Sequence, residues 1–146
     1  MSMSNTSETN LLKLLLQNVT WANVGDATGL VGSSAAGSLY GSLHTADPGE
    51  TGTQTTSEAA YTSYARVAVA RTTGGWAVSG NTGDNVAAIT FPACTGGSET
   101  ETHFGVGRAS TSTGELLFSG ALTASLAVSN GITPEFAIGA LDIVCD

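Results

Sequence analysis

Charged residues are scarce in this chain of 146 residues. They make up 11% of it, with 4 lysines and arginines against 12 aspartates and glutamates. Nucleic-acid-binding domains need a basic stripe, and anionic membranes attract clusters of basic residues. The net charge of −8 therefore argues against both partners. An acidic chain of this kind suits a protein that must stay soluble at high concentration before it is assembled.

The sequence shows neither the pattern of a secretory leader nor a long apolar segment. The first seven residues carry neither a basic residue nor an apolar run, which a signal peptide requires. The leucine-rich run 11–16 is too short to cross a bilayer. We therefore expect synthesis in a cytosol.

No group of residues has the spacing of a catalytic, metal or cofactor site. Serines are common, but no Gly-x-Ser-x-Gly motif occurs. The glycine cluster at 25–37 lacks the Gly-Lys-Ser/Thr of a phosphate loop. Two cysteines, Cys94 and Cys145, cannot form a structural zinc site, and we expect buried thiols, although neighbouring strands could pair them. The sequence predicts a non-enzymatic protein without metal or cofactor.

The two histidines are the remaining candidates for proton transfer or metal binding. His44 precedes the acidic Pro-Gly turn 46–49, which allows a metal-binding or pH-sensitive corner, but a solvent-facing strand end is favoured. Glu99, Glu101 and His103 share one face of a predicted strand. Neighbours on such a face lie about 6–7 Å apart, which is too far for a shared ion. A solvated acidic face is therefore favoured over an ion site at a subunit interface.

Helix signals occur only near the start of the chain. Ser7 or Thr6 can cap a helix, and the following leucines form two pairs spaced four residues apart. A helix of about three turns is marginal alone, so it must dock on its own domain or on a neighbouring subunit. The docking residues are predicted to be Leu11, Leu12, Leu15 and Leu16.

The rest of the chain predicts strands. It is rich in glycine and hydroxyl residues, and short runs of β-branched and small residues alternate with turn signals. No segment is long and periodic enough for a crossover helix. The predicted fold is all-β, an antiparallel β-sandwich or jelly-roll-like barrel preceded by one short N-terminal α-helix. An arm and helix at 1–24 precede a single β domain at 25–146.

Several predicted boundaries can be compared directly with a structure. Tyr64–Arg71 is the clearest of about nine predicted strands, and 50–60 is predicted to be an exposed polar loop. The other boundaries are a turn at 81–84 and separate strands at 115–119 and 121–128.

Two further residues are candidates for an interface. Trp21 could anchor a contact because tryptophan is enriched at interface hot spots, although core packing is favoured for it and for Trp76. Arg66 interrupts a small, apolar strand, so we predict a partly buried ion-pair or hydrogen-bond anchor. Trp21 and Arg66 therefore join the four leucines as candidate interface residues.

A distinctive series of segments runs through the chain. They are 38–52, 58–61, 64–69, 90–93 and 103–107. The first contains Leu-His-Thr-Ala-Asp-Pro-Gly, and the third is Tyr-Ala-Arg-Val-Ala-Val. The series resembles small structural proteins of tailed-bacteriophage virions, which begin with a helix followed by such a strand and turn. These motifs are structural, and they carry no catalytic residue.

The resemblance implies a virion protein that is assembled in the host bacterial cytoplasm. The favoured role is a capsid decoration (cement) subunit that binds other virion proteins, mainly the major capsid protein, and copies of itself in a homo-oligomer. The alternative is a tail or tail-fibre-associated subunit whose polar loop, 46–60, contacts a receptor. A carbohydrate-binding β-sandwich module is a third possibility, but only 6% of the residues are aromatic.

Overall fold

The computed structural model describes residues 2–145. The chain is mostly β, with antiparallel pairing and one short N-terminal helix, which confirms the predicted fold class. It forms two compact units. The first comprises the chain up to Ser38, Val69–Ala88 and the segment from Phe136, and the second comprises Leu39–Ala68 and Ile89–Glu135. The predicted separation of an arm 1–24 from a domain 25–146 stays a prediction.

One helix and nine strands follow one another along residues 2–145. They are α1 (Asn5–Gln17), β1 (Ser38–His44), β2 (Val67–Ala70), β3 (Trp76–Ser79), β4 (Thr82–Asn85), β5 (Ile89–Thr90), β6 (Ser98–Gly107), β7 (Leu116–Ser129), β8 (Glu135–Phe136) and β9 (Asp142–Val144). No helix within this described part is long and apolar enough to span a membrane.

Helix α1 begins earlier than predicted. Ser4 is the N-cap, with an extended backbone and a side-chain oxygen that accepts a hydrogen bond from the Ser7 N–H at 3.4 Å. Ser7 and Thr6, the predicted caps, lie in the first turn, because Ser4 is an equally good cap one turn earlier. The last helical residue is Gln17, and Asn18 is the C-cap. The backbone of Asn18 is left-handed (φ 60°), a conformation that asparagine tolerates.

In the first unit, α1 packs on the antiparallel sheet β3-β4-β9. Leu12, Leu16 and Trp76 are completely buried there. The turn predicted at 81–84 lies earlier, at Gly80 and Asn81, and residues 82–84 belong to β4. A Cβ atom on Gly83 would overlap the Leu16 side chain. Glycine is therefore needed at this position so that the helix can pack closely on β4, and not to form a turn.

Arg71 secures the end of the helix within the same unit. Its Nε and Nη2 donate to the carbonyl oxygens of Leu15 and Leu14, each at 2.8 Å. The last carbonyls of a helix lack partners within it, so they need outside donors. An arginine distant in sequence supplies them.

The second unit contains most of the sheet β2-β1-β6-β7 and of the two-stranded sheet β5-β8. Ile89 of β5 and Phe91 face β1 at Gly41, where their nearest side-chain atoms lie 3.6 and 3.9 Å from the position of a Cβ. Leu43 and Val106 complete this core. The two sheets of this unit thus pack face to face, as in a sandwich.

Two strand predictions for the second unit need correction. β2 begins at Val67 rather than Tyr64, because the Tyr64 and Arg66 side chains turn inward to hydrogen-bond partners. The strands predicted at 115–119 and 121–128 form the single strand β7. Gly120 does not interrupt it, because glycine is needed where the Phe104 ring packs 2.8 Å from the position of a Cβ.

Candidate contact surface

A buried ion pair lies at the centre of the second unit. The Arg66 guanidinium donates from Nε and Nη2 to the two Glu58 carboxylate oxygens at 2.6 and 2.7 Å. The Arg66 side chain is 3% exposed and that of Glu58 15%. The Tyr64 hydroxyl also donates to Glu58 and accepts from the Leu43 N–H, both at 3.1 Å. Arg66 is therefore the buried ion-pair anchor that the sequence predicts.

The same guanidinium holds the loop between β6 and β7. Arg66 Nη1 donates to the Ala109 carbonyl oxygen and Nη2 to that of Ser112, both at 2.9 Å. The Gln54 side chain makes two more bonds, accepting from the Ala109 N–H at 2.8 Å and donating to the Ala109 carbonyl at 3.2 Å. This loop is fixed by side chains that are more than forty residues away in sequence.

Gln54 also joins this loop to the one after β1. Its backbone N–H donates to the Gly114 carbonyl oxygen at 3.0 Å. The preceding residue, Thr53, forms an isolated antiparallel β-bridge with Glu115. We call segments 46–57 and 108–114 together the loop pair. The prediction that 50–60 is an exposed loop is wrong for Gln54, which is fully buried because its amide satisfies the neighbouring backbone. Glycine is required at 107 and 114, where a Cβ would overlap the Gln54 side chain.

The outer side of the loop pair is polar and rich in hydroxyl groups. Its exposed residues include Thr51, Thr55, Ser110, Thr111, Ser112 and Thr113. The turn at its start is held by Asp47, whose carboxylate accepts from the Gly49 N–H at 2.9 Å. The loop pair therefore presents exposed polar side chains, and the backbone of 108–114 is held by hydrogen bonds from Arg66 and Gln54.

His44 does not face solvent, contrary to the favoured prediction. It is fully buried, with Nδ1 2.8 Å from the Thr56 carbonyl oxygen and Nε2 2.9 Å from the Ser42 hydroxyl. Burial lowers the pKa of His44. Since a carbonyl can only accept, the neutral ring donates from Nδ1 and accepts the Ser42 proton at Nε2. His44 thus connects β1 to the loop pair.

The predicted solvated face of β6 is wrong for Glu101. This residue is fully buried, and neither carboxyl oxygen has a hydrogen-bond partner within residues 2–145. Glu99 instead accepts from the N–H groups of Ala60 and Tyr61, both at 2.8 Å. Burial, and secondly the neighbouring Glu99 carboxyl, raise the pKa of Glu101 to about 8. Residue type alone could not distinguish these two glutamates.

In the part of the chain that the structure describes, no three side chains of His, Cys, Asp or Glu converge in a way that could hold an ion. Cys94 is a buried free thiol whose Sγ lies 3.2 Å from the Gly96 carbonyl oxygen.

The predicted interface residues of the first unit differ in exposure. Leu12 and Leu16 are buried within the chain, whereas Leu11 and Leu15 are half-buried and retain surface for a neighbour. Trp21 is half-buried and exchanges two backbone hydrogen bonds of 2.9 Å with Leu30. Exposed apolar residues occur in the same segment, namely Val19, Val24, Leu30 and Val31. Subunit contact through the leucines, Trp21 and Arg66 stays a prediction.

An aromatic platform of the kind that sugars stack on would need exposed rings. Trp76, Tyr61 and Phe91 are buried, and the Tyr61 hydroxyl donates to the Pro92 carbonyl oxygen at 2.9 Å. Tyr64 packs against Tyr61 and Phe91, with ring centroids 5.3 and 6.2 Å away. These rings build the core of their units and do not form such a platform.

Replacing Arg66 by alanine is expected to destabilise the protein strongly. The change removes the charge partner of Glu58 and the donors of two loop carbonyls, and breaking a buried pair typically costs about 3–5 kcal/mol. Arg108→Ala is the matched control, because its ion pair with Glu115 (3.0 Å) is exposed, with side chains 66% and 58% accessible. We expect that control to cost less than about 1 kcal/mol. Urea unfolding measures both, and equal losses would contradict the anchor role of Arg66.

Glu101→Gln is expected to change how stability depends on pH. Glu101 in the folded protein stays protonated up to about pH 8, whereas its ordinary pKa is 4.5. Between these values the folded state binds more protons, so the wild-type free energy of unfolding falls as pH rises. The glutamine variant lacks this loss and should gain on the wild type progressively through this window, by up to a few kcal/mol, because one pKa unit is worth about 1.4 kcal/mol.

Urea unfolding at a series of pH values between about 4 and 9 tests this expectation. Glu50→Gln, at an exposed position of the loop pair, is the control and should run parallel to the wild type. A Glu101→Gln curve that is also parallel to the wild type would show that folding does not change the pKa of Glu101.

The comparisons with known proteins point to one family. The family model described as "Podophage GP4 fiber I protein gp80" matches residues 2–144. A search of curated proteins finds no match. The family match confirms the resemblance to tailed-phage virion structural proteins that the segments between 38 and 107 indicate. Because the match spans nearly the whole chain, the chain belongs to the podophage GP4 fiber I protein gp80 family.

Proposed function

We propose that this chain is a structural subunit of a podophage fibre, located at the tail rather than on the capsid shell. The observation that carries the proposal is the match of residues 2–144 to a fibre family. It favours the tail-fibre alternative over the capsid decoration role that the sequence first suggested. The partners of such a subunit are other virion proteins and further copies of the fibre chain.

The proposed role is non-enzymatic. Several polar groups that could serve chemistry instead make structural bonds: Arg66 binds Glu58, and His44 binds Thr56 and Ser42. Catalytic groups must reach a substrate, whereas His44 is completely buried and the Arg66 side chain is nearly so. These contacts support a protein that acts through shape and assembly.

We further propose that the loop pair is the surface of the subunit that contacts the host cell. Binding residues are often carried on loops that a rigid scaffold positions. Arg66 and Gln54 hold the backbone of 108–114, while its hydroxyl side chains remain exposed. A loop that is fixed before binding loses less conformational entropy when it binds. This supports the receptor-contacting role over a purely connecting one.

Immunogold electron microscopy of intact phage particles tests the location. With an antibody against this chain, we expect gold at the tail and its fibres and none over the capsid. Gold spread over the heads would overturn the fibre proposal and restore capsid decoration. Antibodies against the major capsid protein and against a known tail protein calibrate the two patterns on the same particles.

Alanine substitution of loop hydroxyls tests the host contact. The variant combines Ser110→Ala, Thr111→Ala and Thr113→Ala, three positions of the loop pair with exposed side chains. We expect phage that carry it to bind host cells with an affinity at least about ten-fold lower, which corresponds to about 1.4 kcal/mol of lost binding free energy.

The control for this experiment removes the same three hydroxyl types elsewhere on the surface. It combines Ser34→Ala, Thr73→Ala and Thr133→Ala, all at exposed positions outside the loop pair. The affinity of the control should match that of the wild type. Equal affinities of the loop variant and the wild type would remove the 108–114 hydroxyls from the host contact.

A further inference from the structure

Within residues 2–145, five residues other than glycine have a left-handed backbone. They are Asn18, Asn23, Ser57, Ser63 and Ser112, with φ between 52° and 81°. Asparagine tolerates this conformation, because its short polar side chain can hydrogen-bond locally. A serine in the same conformation carries a steric cost that glycine does not. The three serines are therefore the positions at which the left-handed backbone is strained.

One of these serines has a structural use for its side chain, and the other two lie in the loop pair. The Ser63 hydroxyl lies 2.6 Å from that of Thr95, which joins two segments that are distant in sequence. Ser57 and Ser112 belong to the loop pair, and their side chains are exposed. The hydrogen bonds of both residues go to their main-chain carbonyl oxygens. These bonds do not require a hydroxyl group at either position.

Ser112 is the more prominently presented of the two loop serines. Its neighbours Thr111 and Thr113 are exposed, whereas the residues on either side of Ser57 are half-buried. The Ser112 carbonyl oxygen accepts a hydrogen bond of 2.9 Å from Arg66, whose own side chain is 3% exposed. The Ser112 hydroxyl is thus presented to solvent from a backbone that is anchored on the buried ion pair.

We propose that Ser112 is a contact residue of the loop pair, whose hydroxyl hydrogen-bonds an uncharged polar group of the host receptor. This inference rests on the proposed role of the loop pair in host contact. A glycine at 112 would keep the bond from Arg66, which goes to the carbonyl oxygen, and would remove the strain. What serine adds is a hydroxyl on the outer side of the loop pair. Strained residues cluster at sites where the strain serves function.

The chemistry of the loop pair favours an uncharged ligand group. A hydroxyl both donates and accepts hydrogen bonds, which matches a hydroxyl or an amide of the receptor. The charged residues of the loop pair are Asp47, Glu50 and Arg108, and Arg108 is paired with Glu115. An anionic group would therefore meet two carboxylates and the net charge of −8 of the chain. Host binding by the wild type should change little as salt is raised, and a steep loss would overturn this choice of ligand.

Two substitutions separate the hydroxyl from the strain. Ser112→Ala removes the hydroxyl and keeps the strained backbone, whereas Ser112→Gly removes both. Phage that carry either variant should bind host cells with an affinity about ten-fold lower, because each loses one hydrogen bond to the receptor. In thermal unfolding of the full chain, the glycine variant alone should gain stability, with a Tm raised by about 2–4 °C. The glycine variant also carries the binding test should the alanine variant fail to fold.

Ser63→Ala is the matched control, because it removes the hydroxyl of another exposed, left-handed serine that lies outside the loop pair. Phage that carry it should bind host cells as the wild type does. If the Ser112 variants also bind like the wild type while the triple alanine variant of the loop binds more weakly, the role of Ser112 is overturned and the loop pair remains the host contact. Wild-type binding by all of these variants would overturn the host contact as well. A glycine variant no more stable than the wild type would overturn the argument from strain.

Discussion

The buried pair of Arg66 and Glu58 is the interaction on which the second unit depends. A charge removed from water requires a partner of opposite charge and hydrogen bonds for its remaining groups. Arg66 meets this demand with Glu58 and with the carbonyl oxygens of Ala109 and Ser112. Unlike apolar contact, these bonds are directional. The requirement to satisfy one guanidinium therefore fixes where the loop 108–114 lies relative to the strands beneath it.

Buried polar side chains need space as well as partners, and glycine provides it. A Cβ on Gly105 would lie 2.6 Å from both the His44 ring and the Ser42 hydroxyl. At Gly107 and Gly114 a Cβ would likewise overlap the Gln54 side chain. The side chains then satisfy backbone groups that would otherwise be buried without partners. The high glycine and hydroxyl content of the chain is thus in part a packing requirement of polar side chains inside a β unit.

How much the sequence could predict depended on the range of the interaction concerned. The helix, the strand before the Asp-Pro-Gly turn and the inward role of Arg66 follow from local patterns, and the structure confirms them. The turn predicted at 81–84 was placed too late, because Gly83 lies in a strand and is needed there to make room for the Leu16 side chain, which is distant in sequence. The burial of Gln54 and Glu101 escaped prediction for a related reason, since polar residue types do not reveal which distant groups surround them.

The scarcity of basic residues links composition to stability. The chain has 4 cationic side chains for 12 acidic ones. Arg66 is committed to Glu58, Arg71 to the end of α1, and Arg108 to the exposed Glu115. Glu101, buried without a hydrogen-bond partner among residues 2–145, meets the cost of burial by keeping its proton. Because the folded protein holds this proton after the unfolded chain has released it, Glu101 makes the free energy of unfolding fall as pH rises from about 4.5 to about 8.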